Sequence, residues 1–233
     1  MSERTYGLDD VSVVMGAYNE VEAIESVLAD VDAATDGRAE VVVVDSSDDG
    51  TAAVARDRGA TVVKQPPKGY GAAVERALRE ASNPVRITTD CDGTYPMDRI
   101  PDFLELVNEG YDVVSGDRLY HGAEAMPALN RLGNRAFAAI ASLLSGDRLY
   151  DVTTGMRAYH EDVVESIRWT ENTGLSAELL LRPAMRGYRI RQEPIDYAER
   201  LGETKLDPFT GGGEIAASIL RVCVEERRRQ PGR

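Results

Sequence analysis

The chain has 233 residues, 42% of them hydrophobic, which is enough for one large domain with a substantial core and too few for two full domains. Its 40 Asp and Glu outnumber its 27 Lys and Arg, and the resulting net charge of -13 excludes nucleic acid as an expected partner. No apolar run reaches the roughly 18 residues of a membrane span, and Cys91 and Cys223 lack the spacing of a disulfide framework or a zinc site.

The first half of the sequence alternates between apolar runs typical of strands and amphipathic stretches typical of helices. Strands are predicted at residues 11–15, 41–44, 61–64, 85–89 and 112–115. Helices are predicted between them, at about 21–31, 51–58, 72–81 and 98–108. The alternation predicts an α/β fold in which a mainly parallel central sheet is covered by helices on both faces.

The second half is predicted to hold helices at 129–144 and 177–185, short strands at 156–159 and 188–195, and a polar loop at 199–213. We interpret it as a C-terminal elaboration packed on the same sheet. A last helix at about 214–224 is followed by Glu225, Glu226 and three arginines. This helix and its basic tail, residues 214–233, are the part of the sequence from which a membrane-surface contact is expected.

Polar clusters follow the predicted strands at the points where those strands end. They are residues 18–20, 45–51, 68–71, 90–94 and 116–118. Ligands of parallel α/β sheets bind beyond the carboxyl ends of the strands, so these clusters are expected to form one site.

Asp90 and Asp92 flank a single residue at the end of the fourth predicted strand. Alternate side chains of an extended segment point the same way, so both carboxylates can face one hard cation. Mg2+ or Mn2+ held there would neutralise the charge of a diphosphate. We therefore predict that Asp90 and Asp92 are the metal-binding residues.

Four motifs together resemble glycosyltransferase family 2, whose members have the Rossmann-like GT-A fold. They are Met-Gly-Ala-Tyr-Asn-Glu at 15–20, Val-Val-Asp-Ser-Ser-Asp-Asp-Gly-Thr at 43–51, Lys-Gly-Tyr-Gly-Ala-Ala at 68–73 and Thr-Asp-Cys-Asp-Gly-Thr-Tyr-Pro at 89–96. Asp-Val-Thr-Thr-Gly-Met-Arg at 151–157 and Gly-Glu-Thr-Lys-Leu at 202–206 narrow the resemblance to the dolichol-phosphate hexosyltransferase branch. The match runs in order over about residues 11–207.

The resemblance implies a site for a nucleoside diphosphate sugar in the half formed by residues 1–118. The base and ribose would be lined by Ala17, Tyr18, Glu20 and Asp45. Gly69 and Gly71 would let the backbone approach the nucleotide. Asp90 would contact the metal and the diphosphate, and Asp92 would be a catalytic metal ligand.

Two departures from the family pattern leave the donor open. Many relatives have two adjacent acids in the second motif, where this chain has Val44 and Asp45. Relatives that make dolichol-phosphate mannose often carry Gln at the position of Thr94, whose hydroxyl is at best a weak ligand. GDP-mannose and UDP-glucose are therefore both expected donors.

The half formed by residues 119–213 is expected to bind the acceptor, completing a single domain over residues 1–213. The phosphate of the acceptor would be held by four cations, Arg118, Arg131, Arg157 and Lys205. Arg118 and Arg157 would act at the reacting centre. A lipid monophosphate is largely dianionic at neutral pH and can attack without a general base. A hydroxyl acceptor would need one, and Glu178 is the candidate.

The sequence thus predicts an enzyme that transfers one hexose, with inversion, from a nucleoside diphosphate sugar to dolichyl or polyprenyl phosphate at the cytoplasmic face of a membrane. A soluble phosphorylated or hydroxyl acceptor is the first alternative. A sugar nucleotidyltransferase or a non-catalytic nucleotide-sugar-binding protein is the alternative from another class. The acidic, Lys-poor composition fits either a high-salt cytoplasm or an ordinary acidic cytoplasmic protein.

Overall fold

The computed structural model describes residues 5–202 and 208–229, without the side chains of 208–210. Within these ranges seven strands form one sheet in the order β3-β2-β1-β4-β6-β5-β7. The strands are β1 (Val11–Ala17), β2 (Glu40–Asp45), β3 (Thr61–Lys64), β4 (Val85–Thr88), β5 (Val113–Asp117), β6 (Arg157–His160) and β7 (Ile190–Pro194). All the strands predicted from the sequence are present, with bounds that agree within two residues.

The sheet is parallel except for β6, which runs antiparallel to both of its neighbours, β4 and β5. Register places Met15 beside Val43 and Val14 beside Thr88. The carboxyl ends of β1, β2, β4 and β5 therefore meet at one edge, where β6 begins. This geometry confirms the predicted mainly parallel sheet and brings the segment before Arg157 to the same edge.

Eight α-helices surround this sheet in the described ranges. They are α1 (Ile24–Thr35), α2 (Thr51–Asp57), α3 (Tyr70–Glu80), α4 (Ile100–Asn108), α5 (Ala128–Ser145), α6 (Glu161–Ser166), α7 (Leu175–Met185) and α8 (Pro208–Arg229). Side chains of α1, α2 and α4 form one buried cluster with the sheet, and those of α3, α6 and α7 form another on the opposite face. Helices thus cover both faces, as predicted.

Helix α4 shows how spacing directs this packing. Ile100, Phe103, Leu104 and Val107 recur at intervals of three and four residues and are all buried. Residues at this spacing share one face of a helix. Pro101 lies in the first turn, where its missing N–H leaves no intrahelical bond unmade.

A third buried cluster joins α8 to α5 and α7 through Ile219, Val222 and Cys223 of α8. Helix α8 begins at Pro208, so the predicted polar loop at 199–213 is wrong at its C-terminal end. Three consecutive glycines, 211–213, disfavour a helix, and packing against α5 and α7 outweighs that preference. None of the helices described is long and apolar enough to cross a membrane.

Helix α6 was not predicted. It has six residues, of which only Val163 and Val164 are buried. A helix this short does not show a hydrophobic periodicity that can be recognised in the sequence. Its start is fixed locally by the His160 ring, which accepts a hydrogen bond from the backbone N–H of Asp162.

Candidate active site at the carboxyl edge of the sheet

The acidic centre lies just beyond β4. Asp90 accepts a hydrogen bond from the Tyr70 hydroxyl at 2.9 Å. The Oδ1 atom of Asp92 accepts from the backbone N–H of Thr94 at 3.1 Å and from its hydroxyl at 2.6 Å. Because Thr94 donates its hydroxyl proton to Asp92, it positions that carboxylate.

The pKa of Asp90 is raised to about 7 by burial and by repulsion from Asp92, an effect that Tyr70, Arg118 and Arg200 only partly offset. Two carboxylates that repel each other in this way fit a divalent cation, which would relieve the repulsion. Among the described residues, no group of three or more His, Cys, Asp or Glu side chains converges on a metal position. The pair suits the mode in which Mg2+ takes one or two protein carboxylates and completes its shell with substrate phosphates and water.

Arg200 bridges the acidic centre to the loop after β1. Its Nη1 atom lies 2.7 Å from Asp92 Oδ2, and its Nη2 atom lies 2.6 Å from Glu20 Oε1. Backbone hydrogen bonds hold this segment in place, from Ala198 N to Thr94 O and from Leu201 N to Asp92 O. The sequence does not predict this contact, because nothing in the motifs shows that the segment around Arg200 returns across Asp92.

The predicted nucleotide residues lie together at the ends of β1 and β2. Ala17 is buried, whereas Tyr18 is 49% exposed and can offer its ring to a ligand. Asp45 is fully buried and pairs with Lys64, whose Nζ lies 2.5 Å from Oδ2. The other carboxylate oxygen, Oδ1, is buried without a hydrogen-bond partner, which is unusual for a buried polar atom.

Gly69 and Gly71 lie close against Asn172 in the structure. A Cβ on Gly71 would lie 2.4 Å from the carbonyl oxygen of Asn172, and one on Gly69 would lie 2.4 Å from the Asn172 side chain. Asn172 also donates from Nδ2 to Lys68 O at 2.8 Å. The close approach at these glycines in the structure is thus to Asn172, which holds the start of α3; contact with a nucleotide stays a prediction.

We expect Gly71→Ala to destabilise the protein by about 1–3 kcal/mol and to weaken donor binding, because the new methyl group meets backbone atoms that cannot move freely. Thermal melting and the donor KM are the measurements. Gly133→Ala is the control, since a Cβ there meets nothing within 4 Å and removing a glycine from a helix stabilises it. Equal behaviour of the two variants would contradict this account of the loop.

Arg118 is buried, and its guanidinium donates hydrogen bonds to three side chains. Its Nε and Nη2 atoms contact the two oxygens of Asp151 at 2.7 and 2.9 Å, and Nη2 also donates to Thr153. Nη1 donates to the Tyr95 hydroxyl at 3.2 Å. Burial alone would raise the pKa of Asp151, but the Arg118 guanidinium outweighs it and the pKa is lowered. Four of the five N–H groups of Arg118 are thus engaged, leaving one on Nη1.

The remaining predicted cations are not brought to one point. Arg157 is fully buried at the start of β6, where Nε donates to Ser115 and Nη2 to Val152 O. Arg131, in the first turn of α5, donates to the carbonyls of Gly122 and Ala123. Lys205 lies outside the described residues.

Glu178, the candidate base for a hydroxyl acceptor, is completely buried. Its carboxylate accepts from the backbone N–H groups of Thr170 and Glu171 and pairs with Arg182 at 2.6 Å. Its carboxylate oxygens are occupied by these donors, so its surroundings favour a structural role.

Comparisons with known proteins identify the family. The model of glycosyl transferase family 2 matches residues 12–177. A dolichyl-phosphate hexose transferase of Haloferax volcanii is 63% identical over 96% of this chain and 98% of its own length. An undecaprenyl-phosphate mannosyltransferase of Micrococcus luteus is 28% identical over 91% of this chain and 92% of its own.

Solved structures share the fold. Glucosyl-3-phosphoglycerate synthase from Mycobacterium tuberculosis, in complex with Mn2+ and UDP-glucose, superposes with a TM-score of 0.74 at 24% identity, covering 92% of this chain and 79% of its own. Mannosyl-3-phosphoglycerate synthase from Rubrobacter xylanophilus gives 0.73 at 18% identity, covering 96% and 78%. The expected GT-A fold and the resemblance to the dolichol-phosphate branch are confirmed. The chain belongs to glycosyl transferase family 2 and is a hexosyltransferase.

Proposed function

We propose that this enzyme transfers one hexose, with inversion, from a nucleoside diphosphate sugar to a polyprenyl or dolichyl phosphate at the surface of a membrane. The observation that supports this most is the 63% identity, over nearly the whole chain, to a dolichyl-phosphate hexose transferase. The acidic centre and the unpartnered Asp45 oxygen at the same sheet edge agree with a nucleotide-sugar site.

Asp90 and Asp92 would hold Mg2+ or Mn2+, the chemistry of which is to neutralise negative charge on the departing diphosphate. A fold neighbour was crystallised with Mn2+ and UDP-glucose. Other residues of the chain would bind the base and the ribose of the donor. Tyr18 can stack on the base, and the unsatisfied Asp45 Oδ1 can accept from a base or ribose donor.

For the acceptor, a phosphate oxygen would attack the anomeric carbon while the nucleoside diphosphate leaves from the opposite side. A phosphate dianion carries no proton that must be removed, so this reaction needs no general base. The engagement of Asp151 and Glu178 by arginines agrees with such a reaction. The remaining Nη1 N–H of Arg118 would hold the acceptor phosphate together with Arg131 and Lys205. Arg157 would act indirectly, by donating a hydrogen bond to the carbonyl oxygen of Val152.

A soluble acceptor is the second candidate, because a fold neighbour was crystallised with phosphoglyceric acid. A hydroxyl acceptor requires a base, and Asp117 at the end of β5 is the buried acid to consider, since burial and the nearby Asp151 raise its pKa. Substitution of Asp117 would then lower kcat for a hydroxyl acceptor far more than for a lipid phosphate.

The deciding experiment screens GDP- and UDP-linked hexoses against polyprenyl phosphate, phosphoglyceric acid and free sugars, with and without EDTA. We expect product only with the lipid phosphate, loss of product in EDTA and recovery when Mn2+ or Mg2+ is returned in excess. Transfer confined to a soluble acceptor would overturn the proposed acceptor. Full activity in EDTA would overturn the role of Asp90 and Asp92 in metal binding.

A further inference from the structure

Helix α5 packs one face on the protein and exposes a second apolar face. Ala138 and Ala141 are buried, and Phe137 and Leu144 pack against the third cluster. Leu129, Leu132, Ile140 and Leu143 are nevertheless 58%, 67%, 39% and 82% exposed, respectively. A surface helix that packs on a core normally presents polar residues on its outer face. The outer face of α5 is therefore suited to a partner.

The exposed leucines and Ile140 form a continuous stripe. At 3.6 residues per turn, Leu129, Leu132, Ile140 and Leu143 fall within an arc of about 80°, and the exposed Ala136 lies in the middle of that arc. The helix has 18 residues, so the stripe extends over roughly 25 Å. This is a helix-long apolar face rather than a single exposed side chain.

The charge of α5 differs from that of the rest of the protein. The chain contains 40 Asp and Glu, yet residues 128–145 include none. The only charged residues in this helix are Arg131 and Arg135, and Arg135 is exposed beside the stripe. An apolar face flanked by arginines is complementary to a bilayer whose headgroups are anionic.

We propose that this face of α5 lies in the headgroup–acyl boundary of an anionic lipid bilayer. The proposal deepens the proposed function and rests on it in one respect, the lipid nature of the acceptor. Arg131 ties the first turn of α5 to the connection that follows β5, so the stripe starts beside the acceptor side of the active site. A lipid phosphate could then reach the site while its chain stays in the bilayer.

Two observations favour this surface over the alternatives. A symmetric contact between two copies would place the arginines that flank the stripe near their own counterparts, which like-charge repulsion disfavours. Helix α8, where a membrane contact was predicted, buries Ile219, Val222 and Cys223 against the protein, and Leu220 and Val224 are the large apolar side chains that it exposes between residues 211 and 229.

The test is flotation of the full chain with phosphatidylglycerol vesicles that contain no acceptor. We expect the wild type to float and the double variant Leu132→Glu/Leu143→Glu to lose at least tenfold in vesicle-bound fraction, because both exposed leucines would leave the interface. The matched control on α8, Leu220→Glu/Val224→Glu, should float like the wild type. Unchanged melting temperatures verify that both variants fold.

The proposal fails if the α5 variant floats as well as the wild type, or if only the α8 variant is released. It also fails if the wild type does not float and sedimentation shows a dimer that the α5 variant breaks. Transfer to a water-soluble short-chain prenyl phosphate should be unchanged in the α5 variant. A wild type that floats but modifies no prenyl phosphate would refute the proposed function and leave the α5 surface supported.

Discussion

Asp92→Ala is expected to lower hexose transfer at least about a thousandfold, which corresponds to roughly 4 kcal/mol of transition-state stabilisation. Asp92 is almost completely buried, and Thr94 and Arg200 fix its two oxygens. The variant would leave Asp90 as the remaining carboxylate of the pair. A single carboxylate should bind a divalent ion too weakly to neutralise the leaving diphosphate.

Two measurements separate this role from a general loss of structure. Calorimetric titration with Mn2+ should show binding to the wild type in the presence of nucleoside diphosphate and none to Asp92→Ala. Asp57→Ala removes an exposed acid at the end of α2 and should leave both transfer and Mn2+ binding unchanged. Near-normal transfer by Asp92→Ala would remove Asp92 from the metal site.

The place of Asp90 and Asp92 just beyond β4 could be predicted because its signal is local, two acids directly after an apolar strand. Their role as metal ligands stays a prediction. The parallel part of the sheet could also be predicted, because the alternation of strands and helices is a local pattern in the sequence. Features carried by short, regular periods were thus predictable, within a few residues at each boundary.

Contacts between distant segments were not predictable. Arg200 reaches Asp92 across 108 positions, and Asn172 reaches Lys68 across 104. No spacing within either segment encodes that approach. The contact of Arg157 with Ser115 was likewise not predictable, because it depends on the antiparallel placement of β6 between β4 and β5.

Arg182→Leu is expected to destabilise the protein by about 3–5 kcal/mol, the range for removing one partner of a buried ion pair. Arg182 is 1% exposed and lies between α7 and α8. Its Nε contacts Glu178 and its Nη1 contacts Glu226, both at 2.6 Å, and both acids are buried. Leucine would leave Glu178 with no cation and Glu226 with Arg186 alone.

The measurement is thermal or urea unfolding, where this loss should lower the melting temperature by roughly 6–20 °C for a chain of this size. Arg191→Leu is the control, since Arg191 is 48% exposed and its pair with Glu193 at 3.2 Å should be worth about 0–1 kcal/mol. A shift for Arg182→Leu no larger than that of the control would show that the acids become protonated or hydrated at little cost.

The direction of the pH dependence offers a second check on the same network. Burial would raise the pKa of Glu226, but Arg186 and Arg182 outweigh it and the pKa is lowered. A carboxylate whose pKa is lower in the folded state stabilises the protein above its unfolded pKa and loses that contribution as the pH falls through the folded value. The difference in unfolding free energy between wild type and Arg182→Leu should therefore be largest near neutral pH and shrink in acid. A difference that grew as the pH fell would mean that Arg182 stabilises the α7–α8 contact by packing rather than by charge.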